Sequence, residues 1–242
     1  MAIEFSTTSA VNMDQGVKAL VYGNSGIGKT TLSATAPKPV IISAENGLLS
    51  LNKKNLEKLF GAAAPGISYE IPVIKVKDMA TLQEAYNWCA NIANHQYFET
   101  VVIDSISEIG EVVLNNAKRT VKDPRQAYGQ LIEQMENIIR SFRDLPGKHV
   151  IMLAKEEWVK DEITGVTTRS PSMPGSKLGQ KLPYFFDEVF RLATNKDAQN
   201  NDYRYLLTQP DLQNIAKDRS GSLDKMEMPH IANFINKILQ GV

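Results

Sequence analysis

The stretch Gly23-Asn24-Ser25-Gly26-Ile27-Gly28-Lys29-Thr30 constrains this chain more than any other, because it matches the phosphate-loop pattern Gly-x-x-x-x-Gly-Lys-Thr in full. Glycines let such a backbone curl until successive N–H groups point inward, and the helix that follows adds the positive end of its dipole. From Gly23 through Thr31 the loop is expected to cradle the phosphates of a nucleoside triphosphate. Lys29 would meet the β- and γ-phosphates and the Thr30 hydroxyl would ligate Mg²⁺, so ATP and Mg²⁺ are the expected cofactors. The mechanism needs a strand before the loop and a helix after it. Both are in place: Val17 to Tyr22 is a short apolar run, and Thr30 to Thr35 reads as a helix that stops before Pro37.

The rest of the chain repeats that alternation. Pro39 to Ser43, Ile71 to Val76, Thr100 to Ile103 and His149 to Ala154 read as buried strands. Between them, Asp78 caps a helix with Leu82, Ala85, Tyr86, Cys89, Ile92 and Ala93 on one stripe. A second amphipathic helix carries Leu131, Met135, Ile138, Ile139 and Phe142. Strands alternating with helices predict a mainly parallel sheet covered on both faces. After Phe185 the pattern changes to two paired strands, Glu188 to Thr194 and Tyr203 to Thr208, around the polar turn Asn195 to Asp202. A last helix starts at Pro229, with Ile231, Phe234, Ile235, Ile238 and Leu239 on its apolar side.

Composition narrows the function classes. The 27 basic and 27 acidic residues cancel, which argues against a protein that coats DNA by bulk charge. Residues 15–242 are expected to form a single ATPase domain, and residues 1–14 an arm, flexible or interface-forming, in which Phe5 is a candidate anchor. No membrane span or leader is read from the sequence, so the expected location is the cytoplasm, the host's if the chain is phage-encoded. Cys89, the one cysteine, sits on a helix stripe and reads as core. His95, His149 and His230 lack metal-ligand spacing.

Asp104 closes the hydrophobic strand Val101-Val102-Ile103, where it can hold the Mg²⁺ shell through Thr30 or a water. Here the residues resemble a named group. Val40-Ile41-Ile42-Ser43-Ala44-Glu45-Asn46 resembles the RecA segment whose strand delivers a catalytic glutamate, and Asp104-Ser105 is similar to the RecA aspartate-serine pair. The resemblance implies an α/β RecA-like core, with a parallel sheet sandwiched by helices and a C-terminal antiparallel hairpin. It implies that Glu45 orients and deprotonates the attacking water, with Glu108 as the competing base. Lys155 falls where RecA-like folds place a polar sensor, although a lysine departs from the usual glutamine.

Ile215-Ala216-Lys217-Asp218-Arg219-Ser220-Gly221 is similar to the Lys-x-Arg-x-Gly segment of DnaB-type helicases and RadA. By that resemblance Lys217 and Arg219 reach across a subunit interface to a neighbour's γ-phosphate, which implies a homo-oligomer with ATP between subunits. The stretch Glu156 to Tyr184, rich in Gly, Pro, Ser and Thr, reads as a long loop corresponding to the mobile DNA-binding loop of RecA. Arg169, Lys177 and Lys181 would pair there with phosphates of single-stranded DNA, or Lys177 or Lys181 would touch a neighbour's nucleotide; the centre of the loop lacks aromatic platforms. A second basic cluster, Lys118, Arg119, Lys122 and Arg125, reads rather as a solvated helix end than as a DNA contact. A bare RecA-like core with its loop near the start resembles the phage annealing proteins of the Sak group. That implies single-strand annealing or homologous recombination, with a phage or host single-strand-binding protein as a further partner. The alternative is a RecA-fold motor or helicase-loading ATPase that acts with a protein partner.

Overall fold

The computed structural model describes residues 16–45 and 47–241, so the expected arm 1–14, its Phe5 and Asn46 lie outside the described residues. The chain runs β1 (Lys18–Gly23), α1 (Lys29–Leu32), β2 (Pro39–Ser43), α2 (Lys53–Phe60), β3 (Val73–Lys75) and α3 (Met79–Ala90). It continues through β4 (Thr100–Asp104), α4 (Ile106–Thr120), α5 (Pro124–Arg143), β5 (His149–Lys160), β6 (Thr167–Ser172) and α6 (Ser176–Lys181). Last come β7 (Glu188–Lys196), β8 (Asp202–Leu207), β9 (Lys217–Asp218), β10 (Met226–Glu227) and α7 (Ile231–Gly241).

These strands form one sheet in the order β10-β8-β7-β1-β5-β4-β2-β3, with β6 added to β5 and β9 to β7. The run from β7 to β3 is parallel, whereas β8 and β10 are antiparallel. This is the expected α/β class: a mostly parallel sheet with helices on both faces and antiparallel strands toward the C-terminal end. β5 lies between β1, which feeds the phosphate loop, and β4, which ends at Asp104.

The period-two alternation of the central strands divides the interior into two cores. Leu20 and Tyr22 of β1 join Val101 and Ile103 of β4 against α3, α4 and α5. Ala19 and Val21 join Val102, Ile151 and Phe190 against α1 and α7. In the second core the rings of Phe190 and Phe234 meet edge to face at 5.2 Å, an arrangement worth roughly 0.5–1.5 kcal/mol beyond burial. Helix entries follow their sequence signals. Asp78 and Thr81 make a reciprocal capping box on α3, Ser105 caps α4, and Asp123 with Pro124 opens α5.

Several expectations need correction. α3 stops at Ala90, because the Asn91 side chain accepts from the Ala93 amide and turns the chain into a 3-10 segment, which leaves Ile92 exposed instead of on the stripe. Leu239 is likewise half-exposed, and Pro229 precedes α7 by two residues rather than opening it. β3 is shorter than Ile71 to Val76. The largest difference is the supposed long loop 156–184. β5 runs on to Lys160 and pairs antiparallel with β6, so the segment is a hairpin followed by α6. Its turn is held by Asp161, whose carboxylate accepts the amides of Ile163 and Thr164 at 2.8 Å each. β6 is an edge strand, which is why it tolerates Pro171. Among the described residues, no helix is long and apolar enough to cross a membrane.

Candidate functional site

The phosphate loop leaves β1 at Gly23 and enters α1 at Lys29, and it borders a cavity of about 1060 Å³ at the C-terminal edge of the parallel strands. Gly28 holds φ +104° and Gly26 φ +74°, the left-handed region where a side chain would strain the curl. The Lys29 ammonium lies inside this curl and donates to the carbonyls of Gly23 at 2.7 Å and Asn24 at 2.8 Å. Burial holds its pKa below the ordinary lysine value, opposed by the negative charge of Asp104 and Glu45.

Asp104 ends β4 beside the loop, only 1% exposed, and accepts the Thr30 hydroxyl on Oδ2 at 2.7 Å. Burial is the main cause that pushes its carboxyl up to about 6. The Thr30 hydrogen bond and Lys29 act downward and Glu45 upward. The Thr30 hydroxyl and Asp104 carboxylate are adjacent hard oxygen donors. They suit Mg²⁺, which takes few protein ligands and completes its shell with water and phosphate oxygens. Among the described residues no cluster of three or more His, Cys, Asp or Glu able to hold a metal occurs. The open curl at Gly26, where an added β-carbon would meet nothing within 4 Å, fits a phosphate chain.

The two candidate bases are held differently. Glu45 follows β2, and its Oε1 accepts the Ser105 hydroxyl at 2.8 Å, while its amide donates to Ser43 Oγ at 3.2 Å. Glu108, one turn into α4, is engaged by the Lys155 ammonium in a close ion pair. Ser107 braces the same corner: its hydroxyl accepts the Lys155 amide at 2.9 Å and donates to the Ser172 carbonyl at 2.7 Å. The strand tip carrying Lys155 is thereby tied both to the helix after Asp104 and to the end of β6. Lys29, Thr30, Glu45, Asp104, Glu108 and Lys155 all line one cavity.

The remaining expected residues lie elsewhere. Lys217 and Arg219 are on or beside β9, which pairs with the start of β7, the opposite edge of the sheet from the phosphate loop. There the Lys217 ammonium donates to the Pro183 carbonyl at 2.7 Å, and Arg219 pairs with Asp187 at 2.6 Å. Within one subunit they do not reach the cavity. The three candidate DNA contacts are not brought together. Arg169 stacks over Trp158 at 4.1 Å and sits 3.6 Å from Glu156, and Lys181 is paired with Glu136 at 2.8 Å. Lys177 lines a second cavity of about 420 Å³ with Arg125, Tyr128 and Ile132. That cavity joins two segments that the sequence presents separately, the first turns of α5 and the start of α6.

Sequence reasoning missed several residues at these sites. Arg204 of β8, Lys58 of α2 and Glu156 of β5 all line the main cavity. Glu156 is buried and bonded to Arg191 at 2.7 and 3.3 Å, a paired carboxylate on the strand that carries Lys155. Trp158, half-exposed, supplies an aromatic face near the start of the segment, away from the centre that lacks one. Only its alternation with Glu156 and Lys160 along an extended strand would have signalled it.

A family model described as AAA domain matches residues 15–220. No curated protein matches the sequence. Among solved structures, the chain is similar to a KaiC-like protein from the hyperthermophilic archaeon Pyrococcus horikoshii OT3. That match has a TM-score of 0.40 and 14% identity, covering 80% of this chain and 78% of that one.

Proposed function

This chain belongs to the AAA domain family and is a P-loop ATPase, and from that premise we propose that it is a Mg²⁺-dependent ATPase that assembles on single-stranded DNA and promotes annealing or recombination. On this reading residues 15–242 act as one RecA-like unit in the cytoplasm, the host's if the chain is phage-encoded, as in the Sak group. Lys29 and the loop amides bind the triphosphate, Thr30 and Asp104 hold Mg²⁺, and Glu45 takes the proton of the attacking water. Mg²⁺ supplies charge neutralisation at the reacting phosphate. Glu45 is favoured over Glu108 because Ser105 orients its carboxylate, whereas the Glu108 charge is already compensated by Lys155. Lys217 and Arg219 serve a neighbour's nucleotide, in keeping with their distance from their own loop.

The observation that carries the DNA reading is the second cavity. It combines two cations, Arg125 and Lys177, with the Tyr128 ring, which is 41% exposed. Cations for phosphates beside an aromatic face for a base are the elements of sequence-tolerant single-strand binding. Arg169 and Lys181, being ion-paired within the chain, are weaker candidates than Lys177. The test is ATP hydrolysis with and without single-stranded DNA, with Lys29→Ala as the blank. Stimulation that Lys177→Ala diminishes supports the reading; turnover indifferent to DNA removes it.

A second reading, a motor or loader that answers to a protein, draws on the β5–β6 hairpin. Its tip exposes Ile163 at 96% together with Val166, an apolar end suited to a protein surface. In that case a protein partner stimulates hydrolysis more than DNA does.

A further inference from the structure

The strand order puts the phosphate loop between two kinds of wall. On one side, beyond β5, are β4 with Asp104 and β2 leading to Glu45. On the other are β7 and β8, and this hairpin is longer than the sheet beside it. Tyr22, one residue before the loop, is level with Arg191, yet β7 continues to Lys196, and Thr194 pairs with Arg204. The hairpin therefore rises past the end of β1 and carries Arg204 over the loop. A β-carbon built on Gly28 would lie 3.2 Å from Nη1 of Arg204 and 3.4 Å from its Cζ, so the guanidinium touches the loop backbone. The same β-carbon would be 3.1 Å from the Thr31 hydroxyl, which itself donates to the Gly28 carbonyl at 2.8 Å.

Arg204 is solvent-exposed, and among the described residues no carboxylate lies within ion-pair distance of it. Arg169, Arg191 and Arg219, by contrast, each hold an acid. A guanidinium resting against the phosphate loop without a carboxylate partner keeps its forked donors available to an anion held by that loop. Resting on the ATPase reading above, we infer that Arg204 is a phosphate-binding residue of the same subunit, which contacts the α- and β-phosphates of the nucleotide and so serves ATP and ADP alike. The γ-phosphate end belongs on the opposite wall, where Thr30, Asp104 and Glu45 converge, and the phosphate chain crosses the loop from that wall toward Arg204. This gives the site two cationic contacts with separate duties. Arg204 holds the diphosphate common to substrate and product, whereas a neighbour's Arg219 would answer only to the γ-phosphate.

The test is equilibrium binding of Mg²⁺-ADP and of a Mg²⁺-bound non-hydrolysable ATP analogue to the full chain. Arg204→Ala is expected to weaken both by about tenfold or more, the factor a charge-assisted hydrogen bond is worth. KM for ATP rises in step, and Arg204→Lys, which keeps the charge but loses the fork, recovers part of the affinity. Arg204→Gln, of similar length and uncharged, should match Arg204→Ala, which separates charge from any effect on hairpin packing. Unchanged ADP affinity in both uncharged variants would overturn the inference. So would a loss confined to the ATP analogue, or a fall in saturated turnover with ADP affinity intact, since either result moves the guanidinium to the γ-phosphate. If the wild-type chain binds neither nucleotide any better than Lys29→Ala does, the ATPase reading itself fails, and that outcome is distinct from a failure of Arg204 alone.

Discussion

Two carboxyl groups are buried at opposite edges of the same sheet, and their surroundings explain what each edge is for. Asp104, at the end of β4, is 1% exposed, and Glu188, at the start of β7, is 2% exposed. Asp104 has a hydroxyl donor in Thr30 and a cation in Lys29 nearby, and its carboxyl is pushed up only to about 6. Glu188 has less help, a single hydrogen bond from the Ser220 amide to its Oε1 at 3.3 Å. Its nearest ionisable neighbour is the like-charged Asp218, its Oε2 has no hydrogen-bond partner, and burial, with Asp218 adding to it, pushes the group up to about 8. One edge keeps a carboxylate ready to be a ligand; the other holds a neutral acid in place. Asp218 takes over the anchoring there, accepting the Ser220 hydroxyl at 2.6 Å, the Gly221 amide at 3.0 Å and the Leu223 amide at 3.0 Å. That turn sets where Arg219 projects.

If the two edges meet across a subunit interface, the largest effect comes from the edge without a nucleotide of its own. Arg219→Ala should lower turnover by about 10³-fold or more while nucleotide binding persists, as for an arginine supplied in trans. Mixing it with Lys29→Ala should restore part of the activity, because some mixed interfaces pair an intact loop with an intact arginine. Absence of any recovery would break the comparison, leaving Arg219 as the surface partner of Asp187. Next in size is the base. Glu45→Gln should cost about 10²–10⁴ in turnover with ATP binding retained, and Glu108→Gln less than about tenfold. The reverse ranking would assign the water to Glu108 and make Glu45 the bracing residue.

How far these edges could be read in advance differs for a physical reason. The phosphate loop is contiguous in sequence: Gly23 to Thr31 carries its own geometry, and Asp104 closes a β-branched run, so strand periodicity points to it, whereas Glu45, two residues past β2, was reached only through the resemblance to the RecA segment. The sheet class followed from the same periodicity. Arg204 was not legible, because only the strand order β8-β7-β1 brings it to Gly28, and strand order is a property of packing across the whole sheet. The β5–β6 hairpin was hidden by its Gly, Pro, Ser and Thr content, which reads as loop although an edge strand tolerates it. Ile92 and Leu239 continued helical stripes past the point where the helix ends or the core runs out, since periodicity carries no information about what lies opposite.

The smallest effect concerns stability, and it tests the contrast between the two acids directly. Glu188 has a folded-state pKa raised from the ordinary glutamate value of 4.5 to about 8. Between those values the folded chain therefore holds a proton that the unfolded chain has released. Its contribution is complete below about pH 4.5 and is lost as pH rises toward 8, with a slope of up to roughly 1.4 kcal/mol per pH unit. Asp104 acts with the same sign but is finished by about pH 6, whereas Lys18, lowered by burial to about 8, and the lowered His149 and His230 act with the opposite sign, so Glu188 is isolated only in the difference between wild type and Glu188→Gln. Urea unfolding from about pH 6.5 to 8 should show the wild-type midpoint falling relative to the Glu188→Gln midpoint as pH rises. A constant difference between the two midpoints over that interval would mean Glu188 is ionised in the folded chain, and the two edges would then bury their carboxylates alike.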